Sequence, residues 1–253
     1  MSSPTNSPSL KPVRPLLKPM PPGITIRSPT AFDLPRLRTF ICSYFPLSEP
    51  LLKHSSVSPQ TFAWVYDAQF AKRFDLETSS IALKGEEIVA VFMTSGSEGD
   101  DDEQEDEQEE GLGEKEMQER EACWSIHLIM HSLDMWFLQN IGDFARKSIP
   151  HPITTNKILH LLIGLTKPGY ENQGLSKRLR DRTLTKARKA GWDWAVVQCT
   201  GSKTQYLMRD VFGFCVGKEV NVEEYEVDGK RPFKGVGRVG GGSAMLLYCN
   251  LKK

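Results

Sequence analysis

The sequence predicts an α/β protein that folds as a single domain around a mixed β-sheet. Three observations support this prediction. Strand-like apolar runs alternate along the chain with patterns of helical period. One run, at 158–165, is almost continuously apolar, as in a central strand covered on both faces. The length of 253 residues and the 39% of hydrophobic residues allow one large core.

The ordered domain is predicted to span residues 23–253, after a proline-rich tail. Residues 1–22 hold seven of the 16 prolines and no acidic residue. Such a composition cannot bury apolar surface and is typical of an extended, disordered segment. The first strand is predicted at 24–27, where side-chain character alternates along the chain.

Two helices are predicted after this strand. Thr30 and Asp33 resemble a capping box at the start of the first helix, whose apolar residues recur at helical spacing until Phe45. Pro59 is typical of the first position of a helix, and the second helical pattern continues to Phe74.

A hairpin and an acidic insertion come next. Strands at 79–84 and 87–94 are separated by two residues, Gly-Glu, which suits a tight hairpin turn. From Glu98 to Glu121 the chain carries fourteen acidic and two basic residues. We therefore predict a disordered acidic insertion at about 96–122, because like charges repel one another. A zinc or calcium site is the alternative, but the ligand spacing of a calcium loop is absent and self-repulsion favours a solvated chain.

The second half of the domain alternates helices with strands. A long helix is predicted at 124–145 and the central strand at 158–165. A basic amphipathic helix at 174–190 is stopped by Gly191. The remaining elements are a strand at 192–200, a helix at 203–211, and strands at 214–227 and 244–251.

Composition excludes several classes of protein. The formal net charge of zero combines −12 in the acidic segment with +12 in the rest of the chain, so the body is basic. No run of about 18 apolar residues could span a bilayer, and prolines interrupt any secretory signal. Five scattered cysteines without a CxxC pair indicate free thiols and no zinc site. We expect a soluble cytoplasmic protein.

The junction at 162–176 carries the strongest chemical signal. It leads from the buried strand through a Pro-Gly turn to a helix that starts beside Gly174. Free backbone N–H groups at a helix N-terminus bind anions, and Lys177, Arg178 and Arg180 add positive charge. Neither GxGxxG nor GxxxxGK[ST] is present, which disfavours a Rossmann or P-loop nucleotide site.

This junction resembles the cofactor motif of the GNAT acetyltransferase superfamily. The matching stretch is Tyr170-Glu-Asn-Gln-Gly-Leu-Ser176. Tyr170, Gln173 and Gly174 fit the motif, whereas Glu171 replaces the usual Arg or Gln and Ser176 replaces the last small residue. A Gly-Phe pair at 213–214 fits the start of a late strand in the same family.

Two further segments are similar to arylalkylamine N-acetyltransferase-like proteins of the insect dopamine type. They are Tyr44-Phe-Pro-Leu-Ser-Glu-Pro-Leu51 and Cys199-Thr-Gly-Ser-Lys-Thr-Gln205. The resemblance covers about residues 23–251 apart from the acidic insertion. It implies a sheet whose fourth and fifth strands splay apart, with the pantetheine arm of acetyl-CoA in the gap.

The resemblance also implies the cofactor-binding residues. Main-chain groups of the fourth strand and its end, at Leu165, Thr166 and Lys167, are expected to bind the acetyl-pantetheine. The pyrophosphate is expected on the amides of Asn172, Gln173, Gly174, Leu175 and Ser176. Acetyl-CoA is thus the expected co-substrate, and no metal is expected.

The catalytic residues are predicted less directly. Glu49 is the candidate base that takes the proton of the amine, and His160 on the central strand, in phase with Leu162 and Thr166, is the alternative. Arg209 stands where many GNAT enzymes have a tyrosine that protonates the leaving thiolate. Ser202 and Tyr206, or Thr204, are the candidates for that role.

We therefore expect an acetyl-CoA-dependent N-acetyltransferase that acts on a small arylalkylamine or polyamine by direct transfer in a ternary complex. The alternatives are an enzyme that acetylates protein lysines or N-termini, and a catalytically silent CoA-binding module. No nucleic acid or membrane partner is expected, and the protein is expected to be a monomer or weak dimer.

Overall fold

A computed structural model describes Leu17 and residues 19–96, 113–148 and 157–252. For 138–148 it describes the backbone alone. Most of the predicted tail and the segment 97–112 of the predicted acidic insertion lie outside the described residues. The division into tail, domain and insertion therefore stays a prediction.

A seven-stranded mixed sheet forms the centre of the molecule, with the order β1-β2-β3-β4-β5-β7-β6. All neighbouring strands are antiparallel except β4 and β5, which are parallel. The predicted α/β class is therefore confirmed. The strands are β1 (Ile24–Arg27), β2 (Ser80–Lys84), β3 (Glu87–Gly96), β4 (Ile158–Thr166), β5 (Trp194–Cys199), β6 (Cys215–Asn221) and β7 (Ser243–Asn250).

Six α-helices connect these strands in the described part of the chain. They are α1 (Leu34–Ser48), α2 (Pro50–His54), α3 (Pro59–Gln69), α4 (Glu114–Ser148), α5 (Leu175–Lys189) and α6 (Ser202–Tyr206). A π-helical turn, Leu207–Val211, continues α6. Proline at the first or second position begins each of the first three helices, as its fixed φ favours.

Helix α4 begins ten residues before its predicted start, at Glu114, so the predicted loop is helical from there onward. Glu114 and Glu116 lie in the first turn, where carboxylates stabilise the positive end of the helix dipole. Glu116 pairs with Arg120 one turn later at 3.1 Å, which also favours a helix. The prediction of a disordered loop was based on the number of acidic residues and did not consider the four-residue spacing of Glu116 and Arg120, which favours a helix.

Strand β6 ends at Asn221, six residues earlier than predicted. The Asn221 side chain accepts a hydrogen bond from the N–H of Glu223 at 3.1 Å, and this Asx turn redirects the chain. The apolar Val222, Tyr225 and Val227 extend the strand-like pattern in the sequence, but they lie in the turn region that follows.

The helices form one layer on each face of the sheet. Helix α5 covers one face, where Leu175, Leu179 and Leu184 pack on Phe92 of β3 and Leu161 of β4. Helices α1 to α4 cover the other face in two further apolar clusters. No helix in the described part of the chain is both long and apolar enough to cross a bilayer.

Candidate functional site

Strands β4 and β5 pair over a short distance and then separate. Their register runs from Ile158 opposite Trp194 to Leu161 opposite Val197, four residue pairs in all. The β3–β4 register shifts at the same place and leaves Leu162 as an extra residue on β4. Such a bulge increases local twist and turns β4 away from β5. The predicted splay of these two strands is confirmed.

Main-chain groups line the β4 side of this split. The N–H of Lys167 donates to the carbonyl of Val89 at 2.8 Å, so residues 165 and 167 bond to β3. In an antiparallel ladder the residues between them direct their N–H and C=O groups to the opposite side. The free groups in the split are therefore those of Gly164 and Thr166, whereas Leu165 bonds to Val91.

The loop after β4 leads into α5 through a glycine that leaves the first backbone N–H groups of the helix accessible for hydrogen bonding. Gly174 caps this helix with φ 79° and no side-chain hydrogen bond, a conformation that strains any residue with a Cβ. The N–H groups of the first helical turn have no partner within the helix. Asn172 before it also has a positive φ of 61°.

Glu171 folds back on the loop. Its carboxylate accepts a hydrogen bond from the N–H of Gly169 at 2.6 Å, and the Gln173 side chain donates to the Gly169 carbonyl at 3.2 Å. The carboxylate therefore stabilises the Pro-Gly turn. This contact explains how an acidic residue is accommodated at a position where the GNAT motif has Arg or Gln.

Glu49 lies at the junction of α1 and α2, close to the end of β5. Its carboxylate accepts a hydrogen bond from the Leu52 N–H at 2.6 Å, which caps α2, and another from the Thr200 hydroxyl. Burial raises the pKa of this carboxyl, although both hydrogen bonds oppose the shift. A carboxylate with a raised pKa is a stronger base than an ordinary glutamate.

One glycine lets the Glu49 segment pack closely beside the end of β5. A Cβ at Gly241 would lie 2.6 Å from the Pro50 side chain, whereas one at Gly201 would make an ordinary contact with it at 3.5 Å. Leu51 is fully buried beside Val236 and Phe233. The Glu-Pro-Leu segment is thus held against the turn after β5, which positions its carboxylate.

His160 lies in the paired part of β4, opposite Ser95 and Val196. The bulge at Leu162 reverses the alternation of side chains beyond it. His160 therefore shares its sheet face with Ile158 and Leu165, and the prediction that it is in phase with Thr166 is wrong. It lies on the helix α1–α4 face, the same face as Glu49.

The predicted proton donors lie on α6. Ser202 is exposed, and its N–H donates to the Gly240 carbonyl at 3.0 Å. Tyr206 is 59% exposed. Arg209, in the π-helical turn, pairs with Asp210 and is exposed. Ser202 follows Thr200, which bonds to Glu49, by two residues. Tyr206 lies on the surface one turn later.

Sequence reasoning missed two residues that build this site. Thr200 bonds to the Glu49 carboxylate. Gln205 is buried, and its side chain donates to the carbonyls of Cys199 at 3.0 Å and Ser243 at 2.8 Å, which fixes α6 to β5 and β7. Both belong to the Cys199–Gln205 segment, which was the available signal.

Arg180 is not an exposed charge of α5. Its guanidinium is buried against β4, where it donates to the hydroxyl of Ser176 in the first turn of that helix. In the described part of the chain, no group of three or more His, Cys, Asp and Glu side chains could hold a metal ion.

No known protein family and no curated protein matches this sequence. Solved structures do match. Arylalkylamine N-acetyltransferase 2 and a putative arylalkylamine N-acetyltransferase 7, both from the mosquito Aedes aegypti, superimpose with a TM-score of 0.63 at 13% identity. The matches cover 90% of this chain and 99% and 88% of theirs.

Two further structures extend the comparison. The C-terminal condensation domain of Ebony in complex with beta-alanyl-dopamine has a TM-score of 0.60 and 15% identity, over 93% of this chain and all of its own. Drosophila melanogaster polyamine N-acetyltransferase has a TM-score of 0.54 and 16% identity, over 90% of this chain and 99% of its own. These neighbours confirm the GNAT fold that the motifs predicted.

Proposed function

We propose that this protein is an acetyl-CoA-dependent N-acetyltransferase that acetylates a small primary amine. The observation that carries the proposal is the split between β4 and β5, with free main-chain groups on one side and the Glu49 carboxylate at the end of the other. A thioester bound in the split and an amine bound beside Glu49 suit direct transfer in a ternary complex.

The chain offers suitable groups for each part of acetyl-CoA. The free N–H and C=O groups of Gly164 and Thr166 match the amides of a pantetheine arm, as a strand edge matches an added strand. The N-terminus of α5, from Gly174, suits the pyrophosphate. Acetyl-CoA supplies the activated acyl group, and these residues hold and orient it.

Glu49 is our proposed base. It removes a proton from the ammonium group, directly or through a water molecule, and the free amine nitrogen then attacks the thioester carbonyl carbon. Collapse of the tetrahedral intermediate breaks the C–S bond and releases the CoA thiolate. An N–H of β4 that faces the split suits the oxyanion. Ser202 and Tyr206 are our candidates to protonate the thiolate, and His160 is the alternative base.

Small arylalkylamines and polyamines are the acceptors we favour, because the fold neighbours named above include enzymes for both classes. Protein lysines or N-termini are the second class. A silent CoA-binding module is the alternative favoured by one contact: the Glu171 carboxylate already accepts the Gly169 N–H and places negative charge beside the phosphate site.

Replacement of the base tests the mechanism. Glu49→Gln keeps the shape and the acceptor for the Leu52 N–H, but it cannot take a proton. We expect kcat for acetyl transfer to a panel of arylalkylamines and polyamines to fall about 100-fold or more. Calorimetry should show unchanged acetyl-CoA affinity.

Glu86→Gln removes an exposed carboxylate and serves as the control, with wild-type kinetics expected. An unchanged rate for Glu49→Gln would remove this residue from the mechanism. If the wild-type protein bound acetyl-CoA but acetylated no amine in the panel, the acceptor class would be wrong. If it bound no acetyl-CoA at all, the proposed function itself would fail.

A further inference from the structure

Arg180 is a buried cation without an anionic partner. The residue is 4% exposed, and in the described part of the chain no carboxylate pairs with its guanidinium. Its hydrogen bonds go to the hydroxyl and the carbonyl of Ser176, both from Nη1, and Nε is buried without a partner. A buried charge normally has a counter-charge, because removal from water costs several kcal/mol.

The guanidinium packs against β4 at a residue that borders the split. A Cβ at Gly164 would lie 2.6 Å from Nη2, so the arginine approaches the β4 backbone closely at this point. The guanidinium also packs on the Phe92 ring, 4.5 Å from its centroid. Gly164 itself is exposed, so the split is open to solvent at this point.

Arg180 also reaches towards the β5 side. Burial raises the pKa of the Cys199 thiol to about 12, and the charge of Arg180 opposes that shift. Burial lowers the pKa of Arg180 to about 10, so the guanidinium remains charged at neutral pH. A permanent positive charge therefore lies beside Gly164 of β4 and acts on the Cys199 thiol of β5.

The free edge of this arginine determines which group it can bind. Nη1 is engaged by Ser176, whereas Nε and Nη2 make no hydrogen bond among the described residues. These two nitrogens form the edge that binds a carboxylate with two parallel hydrogen bonds. A neutral acetyl methyl group offers nothing to this edge.

We propose that Arg180 is a specificity determinant for the acyl donor, and that it selects CoA thioesters whose acyl chain ends in a carboxylate, such as a succinyl group. This inference rests on the proposed acyl transfer from CoA to an amine in the same split, and it replaces acetyl-CoA with a carboxylate-terminated thioester as the preferred donor. The reaction is unchanged in form: the amine displaces the CoA thiolate, and the terminal carboxylate takes no part in bond making.

The position of Arg180 favours the donor over the acceptor as the source of the carboxylate. It projects from α5, on the face of the sheet opposite to α1 and α2, where Glu49 lies. An acceptor amine that reaches Glu49 is therefore separated from Arg180 by the sheet, whereas a thioester in the split lies between the two residues.

The test compares donors on the full-length protein by calorimetry and by kinetics. The ligands are acetyl-CoA, succinyl-CoA and 4-methylpentanoyl-CoA, a neutral chain with the shape of the succinyl group. We expect succinyl-CoA to bind at least tenfold more tightly than 4-methylpentanoyl-CoA. In Arg180→Met the ratio of the two affinities should fall to about one, and circular dichroism and a thermal melt show whether the variant is folded.

Each outcome decides a separate point. A wild-type protein that binds succinyl-CoA no better than 4-methylpentanoyl-CoA overturns the inference, even if Arg180→Met does not fold. If acetyl-CoA binds and is used in that case, the proposed function survives. If Arg180→Met alters the use of acceptors that carry a carboxylate but not the donor ratio, the assignment to the donor is wrong.

Discussion

The acid–base chemistry of Glu49 is altered by its surroundings. Because burial raises its pKa in the folded protein, the folded state binds a proton more readily than the unfolded state does. The free energy of unfolding must therefore decrease as pH rises from the ordinary glutamate value of about 4.3 to the raised value. Glu49→Gln removes this dependence.

The prediction is that Glu49→Gln gains stability relative to wild type as pH rises through this window, and that the difference is constant above it. Thermal melts of both proteins between pH 4 and 8 measure it. Glu86→Gln controls for the loss of one negative charge at the surface. Parallel melting curves for wild type and Glu49→Gln across the window would contradict a raised pKa.

At the same scale, the sequence identified some site residues and missed others for physical reasons. Glu49 was predicted because a short motif surrounds it, and Gly174 because helix starts need a residue tolerant of positive φ. Thr200 lies in a segment that the resemblance singled out, but its role was missed because a single hydroxyl after a strand can have many roles. Arg180 was counted with the surface charge of a basic helix, because the sequence does not show which basic residue faces the sheet.

Among the elements, the turn from β1 into α1 depends on one buried carboxylate. Asp33 is 2% exposed and accepts two hydrogen bonds from Arg27, at 2.7 and 2.8 Å, and two from Thr30, both at 2.8 Å. These contacts, mainly those with Arg27, hold the pKa of Asp33 well below its usual range. The capping box predicted from Thr30 and Asp33 is present.

We predict that Asp33→Asn lowers the free energy of unfolding by about 2 kcal/mol at neutral pH, because a buried carboxylate that accepts hydrogen bonds from Arg27 and Thr30 loses its charge. Asp67→Asn breaks a similar pair with Arg38 that is half exposed, and it should cost less than about 1 kcal/mol. Urea unfolding of the three proteins gives both values.

The pH dependence of Asp33 has the opposite sign to that of Glu49. Its folded pKa is depressed, so its contribution is present at neutral pH and is lost as pH falls below about 4. The difference between wild type and Asp33→Asn should therefore shrink in acid. Equal losses for Asp33→Asn and Asp67→Asn at neutral pH would show that burial does not matter here.

The prediction succeeded for helices and strands whose position follows from the spacing of apolar residues. It failed where a single contact or an inserted residue determines the local structure. The central strand β4 and helix α5 follow from apolar spacing. The bulge at Leu162 does not, because an extra residue in a strand leaves its composition unchanged. Because the prediction did not include this bulge, it placed His160 on the same sheet face as Thr166. The bulge also opens the split on which the candidate site depends.

For the molecule as a whole, charge is distributed unevenly between the folded body and the acidic segment. The total of 32 basic and 32 acidic residues cancels, although residues 98–112 alone hold ten acidic and no basic residues. A protein whose body is basic attracts polyanions such as CoA and repels cationic amines. The acidic segment is the part of the chain that can offset this repulsion.

The last prediction follows from that balance. Deletion of 98–112 changes the formal net charge from 0 to +10, and it removes no residue of β3 or α4. We expect KM for a dicationic amine such as agmatine to rise at low ionic strength, with kcat nearly unchanged. Added salt screens charges beyond about 10 Å at 0.1 M, so the difference should disappear as salt is raised.

A variant in which the ten acidic residues are replaced by Gln and Asn separates the effect of charge from that of segment length. If it behaves like wild type at low salt while the deletion does not, segment length and not electrostatic attraction determines the effect.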